Sequence, residues 1–119
     1  GPTHVAALEN GASEYEDGAG RFAQVAGLKY TVDPAAEPGR RISEVMVMAD
    51  GEWKPIDPAA TYGVVSNNYM RGGGDGYAIF ETNGMNAYDF GPDLADVVAA
   101  YLGEQKSYKA YTDDRITVK

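Results

Sequence analysis

The chain has 119 residues, 44% of them hydrophobic and 24% charged, which fits one globular domain whose core needs no disulfide or metal staple. Ten Lys and Arg against eighteen Asp and Glu leave a net charge of −8. That charge excludes a binder of nucleic acid polymers through their phosphates, and no run of about 18 apolar residues exists to form a transmembrane helix. With no cysteine and a single histidine, His4, disulfide scaffolds, Cys-ligated zinc, thiol catalysis and His-rich metal sites are excluded as well.

In chain order, Gly1-Pro2 reads as the scar of a cleaved affinity tag and is set aside from the fold. Thr3 to Glu9 reads as a helix with Val5 and Leu8 on one face and Asn10-Gly11 as its stop. Seven residues are marginal as a helix in water, so this segment reads as the cut end of a longer one. His4 upon it reads as a surface or interface residue. After a polar, Gly-containing loop over 12–20, Leu28, Tyr30 and Val32 alternate with Lys29, Thr31 and Asp33, the period of a half-buried strand. Ile42 to Ala49 predicts a second strand, and Asp50-Gly51 a tight hairpin turn. Glu52 to Ile56 would return as a short edge strand because of Pro55. Met46 and Met48 read as sheet packing, and Trp53 as a cover for the edge.

Asp57-Pro58-Ala59-Ala60 turns the chain again, and the apolar run Tyr62 to Ser66 is consistent with a central strand. Near the end, Leu94, Val97, Val98, Tyr101 and Leu102 form the stripe of an amphipathic helix. Gly91-Pro92 starts it, with Pro at the first helical position, Asp93 and Asp96 suit its N-terminal dipole, and Gly103 can close it. Arg115 to Lys119 predicts a short last strand, and Tyr101, Tyr108 and Tyr111 are expected against the sheet or its rim. Strands in the middle and helices at the ends, without βαβ alternation, predict an α+β class. The expected architecture is a mixed or antiparallel sheet with the C-terminal amphipathic helix packed on it.

The densest chemistry lies in Ser66-Asn67-Asn68-Tyr69-Met70-Arg71-Gly72-Gly73-Gly74-Asp75-Gly76-Tyr77. Glycine permits positive φ and close approach of a ligand, Tyr69 offers a stacking face, and Asp75 can accept hydrogen bonds from hydroxyls or amines. No Lys-Ser/Thr follows as in a Walker loop, no G-x-G-x-x-G can be read, and the calcium-loop alternation is absent. A plain turn remains the simpler reading on these rules alone. A second segment, Gly18-Ala19-Gly20-Arg21-Phe22-Ala23-Gln24-Val25, sets Phe22 between polar neighbours. A core phenylalanine at a strand start is its simpler reading.

Three motifs then occur in order: Leu8-Glu9-Asn10-Gly11, Gly20-Arg21-Phe22-Ala23-Gln24-Val25-Ala26-Gly27, and Asn68-Tyr69-Met70-Arg71-Gly72-Gly73-Gly74-Asp75-Gly76-Tyr77. With Asp57-Pro58, Thr61-Tyr62, Gly91, Leu94-Ala95-Asp96, Tyr101-Leu102 and Arg115-Ile116, the stretch from Thr3 to Lys119 resembles the C-terminal domain of the 5'-nucleotidase family. That family includes periplasmic UDP-sugar hydrolases and animal ecto-5'-nucleotidases. The resemblance implies a nucleoside site in which Phe22 and Tyr69 sandwich the base, Tyr69 standing where many members carry phenylalanine. It implies further that Gln24 reaches the base edge, Asp75 bonds the ribose hydroxyls, and Gly72, Gly73, Gly74 and Gly76 form the supporting loop. Arg71 stands where small residues are common.

The resemblance implies a metal-dependent hydrolase of nucleotide phosphomonoesters, periplasmic or secreted. Its two divalent metal ions would sit in an N-terminal metallophosphatase domain, a partner in cis that these residues do not include. The family's arginine-bearing phosphate segment is not found either. The expectation is therefore a domain truncated on its N-terminal side, catalytically inactive alone, with a nucleotide or nucleoside as its small-molecule partner and no cofactor of its own. The alternative from a different class is a non-catalytic structural module that self-associates through the uncovered surface.

Overall fold

The computed structural model describes residues 1–119. The alternating segment at its start of sheet becomes strand β1, Leu28–Val32, and the Val/Met run becomes β2, Ile42–Ala49. Asp50 and Gly51 carry φ values of 52° and 77°, both left-handed as a two-residue hairpin turn demands. The chain returns as β3, Glu52–Pro55, on the sheet edge. β4, Ile116–Val118, joins the other side, so the strand order is β3-β2-β1-β4. β4 runs parallel to β1, with Tyr30 opposite Ile116, while the other pairs are antiparallel. This is the mixed sheet of an α+β fold.

One irregularity sets which side chains reach the core. Lys29 pairs with Met46 but Thr31 pairs with Ser43, so Glu44 and Val45 together oppose Tyr30. Glu44 adopts φ of 52°, a bulge that turns Val45 inward. Its carboxylate accepts the Thr31 hydroxyl at 2.9 Å. Helix α1, Pro2–Ala12, covers this face. Leu8, Ala12, Tyr30, Val32 and Val45 are buried together, and Val5, Tyr15, Phe22, Val25, Leu28, Ile42, Ile56 and Ile116 pack around them. On the opposite face Lys29 Nζ lies 4.6 Å above the Trp53 ring, Met46 is half-buried and Met48 is exposed.

Two polar clasps fasten α1 to the sheet. Glu9 accepts the backbone N–H groups of Arg41 at 3.0 Å and Ile42 at 2.8 Å, where β2 begins. The buried Arg41 guanidinium donates to the carbonyls of Ala36 and Ala12, both at 2.8 Å, and pairs with the Glu16 carboxylate. That hydrogen-bonded pairing holds the Glu16 carboxyl below its ordinary range.

Several expectations are corrected. Helix α1 begins at Pro2 and does not stop at Asn10-Gly11 but runs on to Ala12, because both residues are engaged by the glycine loop described below. The Gly1 amine donates to the Ala60 carbonyl at 3.0 Å, so the first residues are part of the fold. His4 is half-buried rather than at the surface, its ring edge-on to Tyr62 at 5.4 Å. Tyr62–Ser66 is not a central strand: residues 61–66 make no backbone hydrogen bond, and Val65 is 100% exposed.

The C-terminal helix forms as α4, Leu94–Gln105. Leu94 rather than Pro92 is its first residue, and Asp93 caps it, Oδ1 accepting the N–H groups of Ala95 at 2.9 Å and Asp96 at 3.4 Å. It continues through Gly103. It is not packed on the sheet, for Leu94, Val97, Val98, Tyr101 and Leu102 are all exposed. No strand or helix of the chain packs along that stripe, which faces solvent. Tyr101 lies edge-on to Tyr108 and Tyr108 is tilted against Tyr111, and all three face solvent. No helix is long and apolar enough to cross a membrane.

Candidate functional site

The glycine-rich segment folds as three short turns of helix. Asn67 Oδ1 accepts the Met70 N–H at 2.8 Å and caps α2, Asn68–Arg71, the role its residue type favours. Gly72 closes that helix. A 3₁₀ turn over Gly74–Gly76 follows, then α3, Ala78–Asn83. Gly73, Asp75 and Gly76 carry φ of 92°, 53° and 79°, so the loop folds back on α2 through three left-handed positions, two of them glycines that adopt them without strain. Gly74 has a different task. A Cβ there would stand 2.6 Å from three carbons of the Tyr69 ring, so the bare glycine lets that ring lie on the backbone.

Tyr69 remains 60% exposed. Gly74 covers one side of its ring, and its hydroxyl lies 3.3 Å from Asp75 Oδ1, so ring and carboxylate form one surface. The loop is anchored from below by two residues whose roles the sequence did not reveal. Asn10 Nδ2 donates to the Asp75 carbonyl at 2.9 Å, which fixes the unusual backbone of Asp75. Tyr77 is fully buried, lies stacked on Phe80 at 5.3 Å, and its hydroxyl donates to the Arg21 carbonyl at 2.6 Å. Burial raises the Tyr77 phenol above its ordinary range and keeps it a donor. Tyr77 stands in the glycine-rich motif, but its hydroxyl's partner lies 56 residues upstream.

That bond matters for Phe22, the residue after Arg21. Phe22 is half-buried at the core rim, edge-on to Tyr15 at 5.5 Å and tilted against Tyr30 at 6.5 Å. It is neither a free stacking plate nor a closed core residue. Gln24 is exposed and lines a shallow pocket of about 110 Å³ with Tyr111, Asp113 and Arg115. The structure therefore joins Tyr69 and Asp75 directly, ties the Phe22 segment to them through Tyr77, and leaves Gln24 on a neighbouring surface. Arg71 pairs with Asp89 at 3.3 Å rather than with Asp75.

The residues do not fit a divalent metal centre. No three His, Cys, Asp or Glu side chains come together to hold an ion. Both ring nitrogens of the one histidine are buried without a partner. The arrangement of Tyr69 and Asp75 instead offers a flat apolar face beside a hydrogen-bond acceptor.

Comparison with known proteins bears on the whole arrangement. The family model for the 5'-nucleotidase C-terminal domain matches residues 5–82, more than half of the chain. The trifunctional nucleotide phosphoesterase protein YfkN of Bacillus subtilis is 42% identical over 86 residues, covering 71% of this chain and 6% of that protein. The snake venom 5'-nucleotidase of Naja atra is 28% identical over 106 residues, 86% of this chain and 20% of its own length. The crystal structure of the 5'-nucleotidase precursor from Thermus thermophilus superposes with a TM-score of 0.89 at 40% identity, over 98% of this chain and 23% of that one. The chain thus spans a small fraction of the relatives it matches. On its helix-clasped mixed sheet, its glycine loop and these matches, the chain belongs to the 5'-nucleotidase C-terminal domain family.

Proposed function

We propose that this domain recognises the nucleoside moiety for a 5'-nucleotidase whose phosphomonoester hydrolysis takes place elsewhere in the polypeptide. The observation that carries the reading is the pairing of the exposed Tyr69 ring with the Asp75 carboxylate on a loop that Asn10 and Tyr77 hold rigid. A base laid on Tyr69 would gain about 1–3 kcal/mol from stacking. The adjoining sugar would meet Asp75, a natural acceptor for a vicinal diol. Phe22 would form the second face of the clamp using the part of its ring that the core leaves open, and Gln24 would approach the base edge. Gly72, Gly73, Gly74 and Gly76 give the loop its shape. Two divalent metals, which would supply the activated water, belong on this reading to a metallophosphatase domain in cis. The venom relative and the precursor form of the Thermus relative favour a periplasmic or secreted setting.

The test is titration of adenosine into labelled protein with NMR detection. Shifts should concentrate on Tyr69, Asp75, Phe22 and their neighbours, and Tyr69→Ala should weaken the response by about tenfold or more. An unchanged spectrum at millimolar adenosine would refute nucleoside recognition by these residues. Phosphate release from a nucleotide monophosphate on adding manganese or zinc would show instead that the hydrolytic site had been misplaced.

A further inference from the structure

Asparagine followed by glycine occurs twice, at Asn10-Gly11 and at Asn83-Gly84. In this dipeptide the carboxamide meets a backbone nitrogen that no side chain shields, so the fold decides whether the two can react. The two copies are placed in opposite ways. Gly11 is buried inside α1, and Asn10 Nδ2 is held by the Asp75 carbonyl at 2.9 Å. Attack by the Gly11 nitrogen would require α1 to open.

Asn83 is the last residue of α3 and is exposed, and Gly84 leaves the helix with φ of −65° and ψ of 137°. The Gly84 N–H makes no hydrogen bond. The Asn83 carboxamide is oriented from both ends: the Thr82 hydroxyl donates to Oδ1 at 3.2 Å, and Nδ2 donates to Thr3 Oγ1 of α1 at 3.4 Å. A Cβ on Gly84 would stand 2.5 Å from the Phe80 carbonyl oxygen. The turn out of α3 thus requires a glycine, and with it an unshielded nitrogen.

We propose that Asn83-Gly84 is a self-modification site, at which the Gly84 nitrogen cyclises onto the Asn83 carboxamide and residue 83 becomes aspartate or isoaspartate. Hydroxide takes the Gly84 N–H proton, and that nitrogen forms a bond to Asn83 Cγ. The Thr82 hydroxyl stabilises the negative charge that develops on Oδ1. The Cγ–Nδ2 bond then breaks, and Nδ2 takes a proton from water and leaves as ammonia. Water opens the resulting five-membered imide at either carbonyl, so the balance is one water consumed and one ammonia released.

Either product loses the donor to Thr3 and places a carboxylate at the C-terminal end of α3, where the helix dipole disfavours it. Isoaspartate also adds a carbon to the main chain next to the turn that Phe80 crowds. Phe80 stacks on Tyr77 at 5.3 Å, so the change reaches the anchor beneath the Tyr69 loop. The site is independent of whether that loop binds a nucleoside.

The test is incubation of the 119-residue chain in mildly alkaline buffer, with fragmentation mass spectrometry to locate each amide-to-acid conversion. In the folded chain Asn83 should convert at least about tenfold faster than Asn10. It should also outpace Asn86, which is exposed but precedes Ala87. In urea Asn10 should approach the rate of Asn83, because only the fold separates them. Thr82→Val should slow conversion of Asn83 by about threefold or more and leave Asn86 at its parent rate. Amide resonances of Tyr77 and Phe80 should shift in the converted chain. Equal rates at Asn10 and Asn83 in the folded chain would overturn the proposal. So would a Thr82→Val chain that converts as fast as its parent, or a converted chain whose Tyr77 and Phe80 resonances stay in place.

Discussion

Gly11→Ala offers a sharp test because helix propensity and packing demand opposite results. Gly11 lies inside α1 with ordinary helical geometry, and alanine at such a position normally adds up to about 1 kcal/mol. Here the added Cβ would stand 2.7 Å from the Tyr77 hydroxyl and 3.2 Å from the Arg21 carbonyl oxygen. Tyr77 is 1% exposed and has nowhere to retreat. Moving it breaks the 2.6 Å bond to Arg21, at about 1–3 kcal/mol for groups left unsatisfied, with about 1–3 kcal/mol more for overpacking. After the propensity gain, Gly11→Ala should destabilise the chain by about 2 kcal/mol or more. Tyr77→Phe removes the obstructing oxygen, so the double variant should be more stable than the two single losses predict, by about 1 kcal/mol or more. Urea unfolding followed through Trp53 fluorescence reads all four proteins. A Gly11→Ala chain as stable as its parent, or losses that simply add, would refute the packing argument.

Glu9→Ala leaves two N–H groups at the start of β2 without their carboxylate, and the same unfolding assay should show a loss of about 1.5–3 kcal/mol. Gly76→Ala forces a side chain into φ of 79° and against the Asn10 amide; it should cost about 1–3 kcal/mol, with amide shifts reaching back to Asn10. His4 should make stability depend on pH. Burial, and secondarily the nearby N-terminal amine, hold its imidazole below the ordinary value of 6.5. The unfolded chain therefore takes up its proton first, so this contribution is complete above pH 6.5 and is lost as the pH falls below it. Thermal midpoints at about pH 7.5 and about pH 5.5 should differ more for the parent than for His4→Phe, and equal differences would rule out His4 as the source.

Local signals were the readable ones. The alternation in β1, the apolar run of β2 and the Asp50-Gly51 turn each depend on neighbouring residues, and each forms where its pattern stands. The α4 stripe likewise became a helix, though its start moved by two residues, from Pro92 to Leu94, because the Asp93 carboxylate can reach two amides and caps the helix there. What was not readable depends on distant partners. Asn10-Gly11 has the composition of a helix stop, yet Asn10 holds Asp75 and Gly11 makes room for Tyr77, so the helix passes through both. Tyr62–Ser66 has the composition of a strand, but a strand exists only beside another strand. At the candidate site, Tyr69 and Asp75 stand six residues apart and were found together. The anchor that brings the Arg21-Phe22 segment to them rests on one tyrosine hydroxyl, which no spacing rule announces.

The parallel pairing of β4 with β1 carries a consequence for the order of folding. The meander β1-β2-β3 closes through short local connections, whereas Tyr30 must wait for Ile116 and the 2.6 Å bond from Arg115 to the Val25 carbonyl. Closing that loop has the largest entropic cost in the sheet. The meander should therefore assemble first and expose the open side of β1 until β4 arrives. During that interval β1 is a template for any extended chain, and refolding yield should fall as protein concentration rises. The last strand thus acts as a guard whose arrival time, more than its three residues of pairing, decides whether the chain reaches its native state.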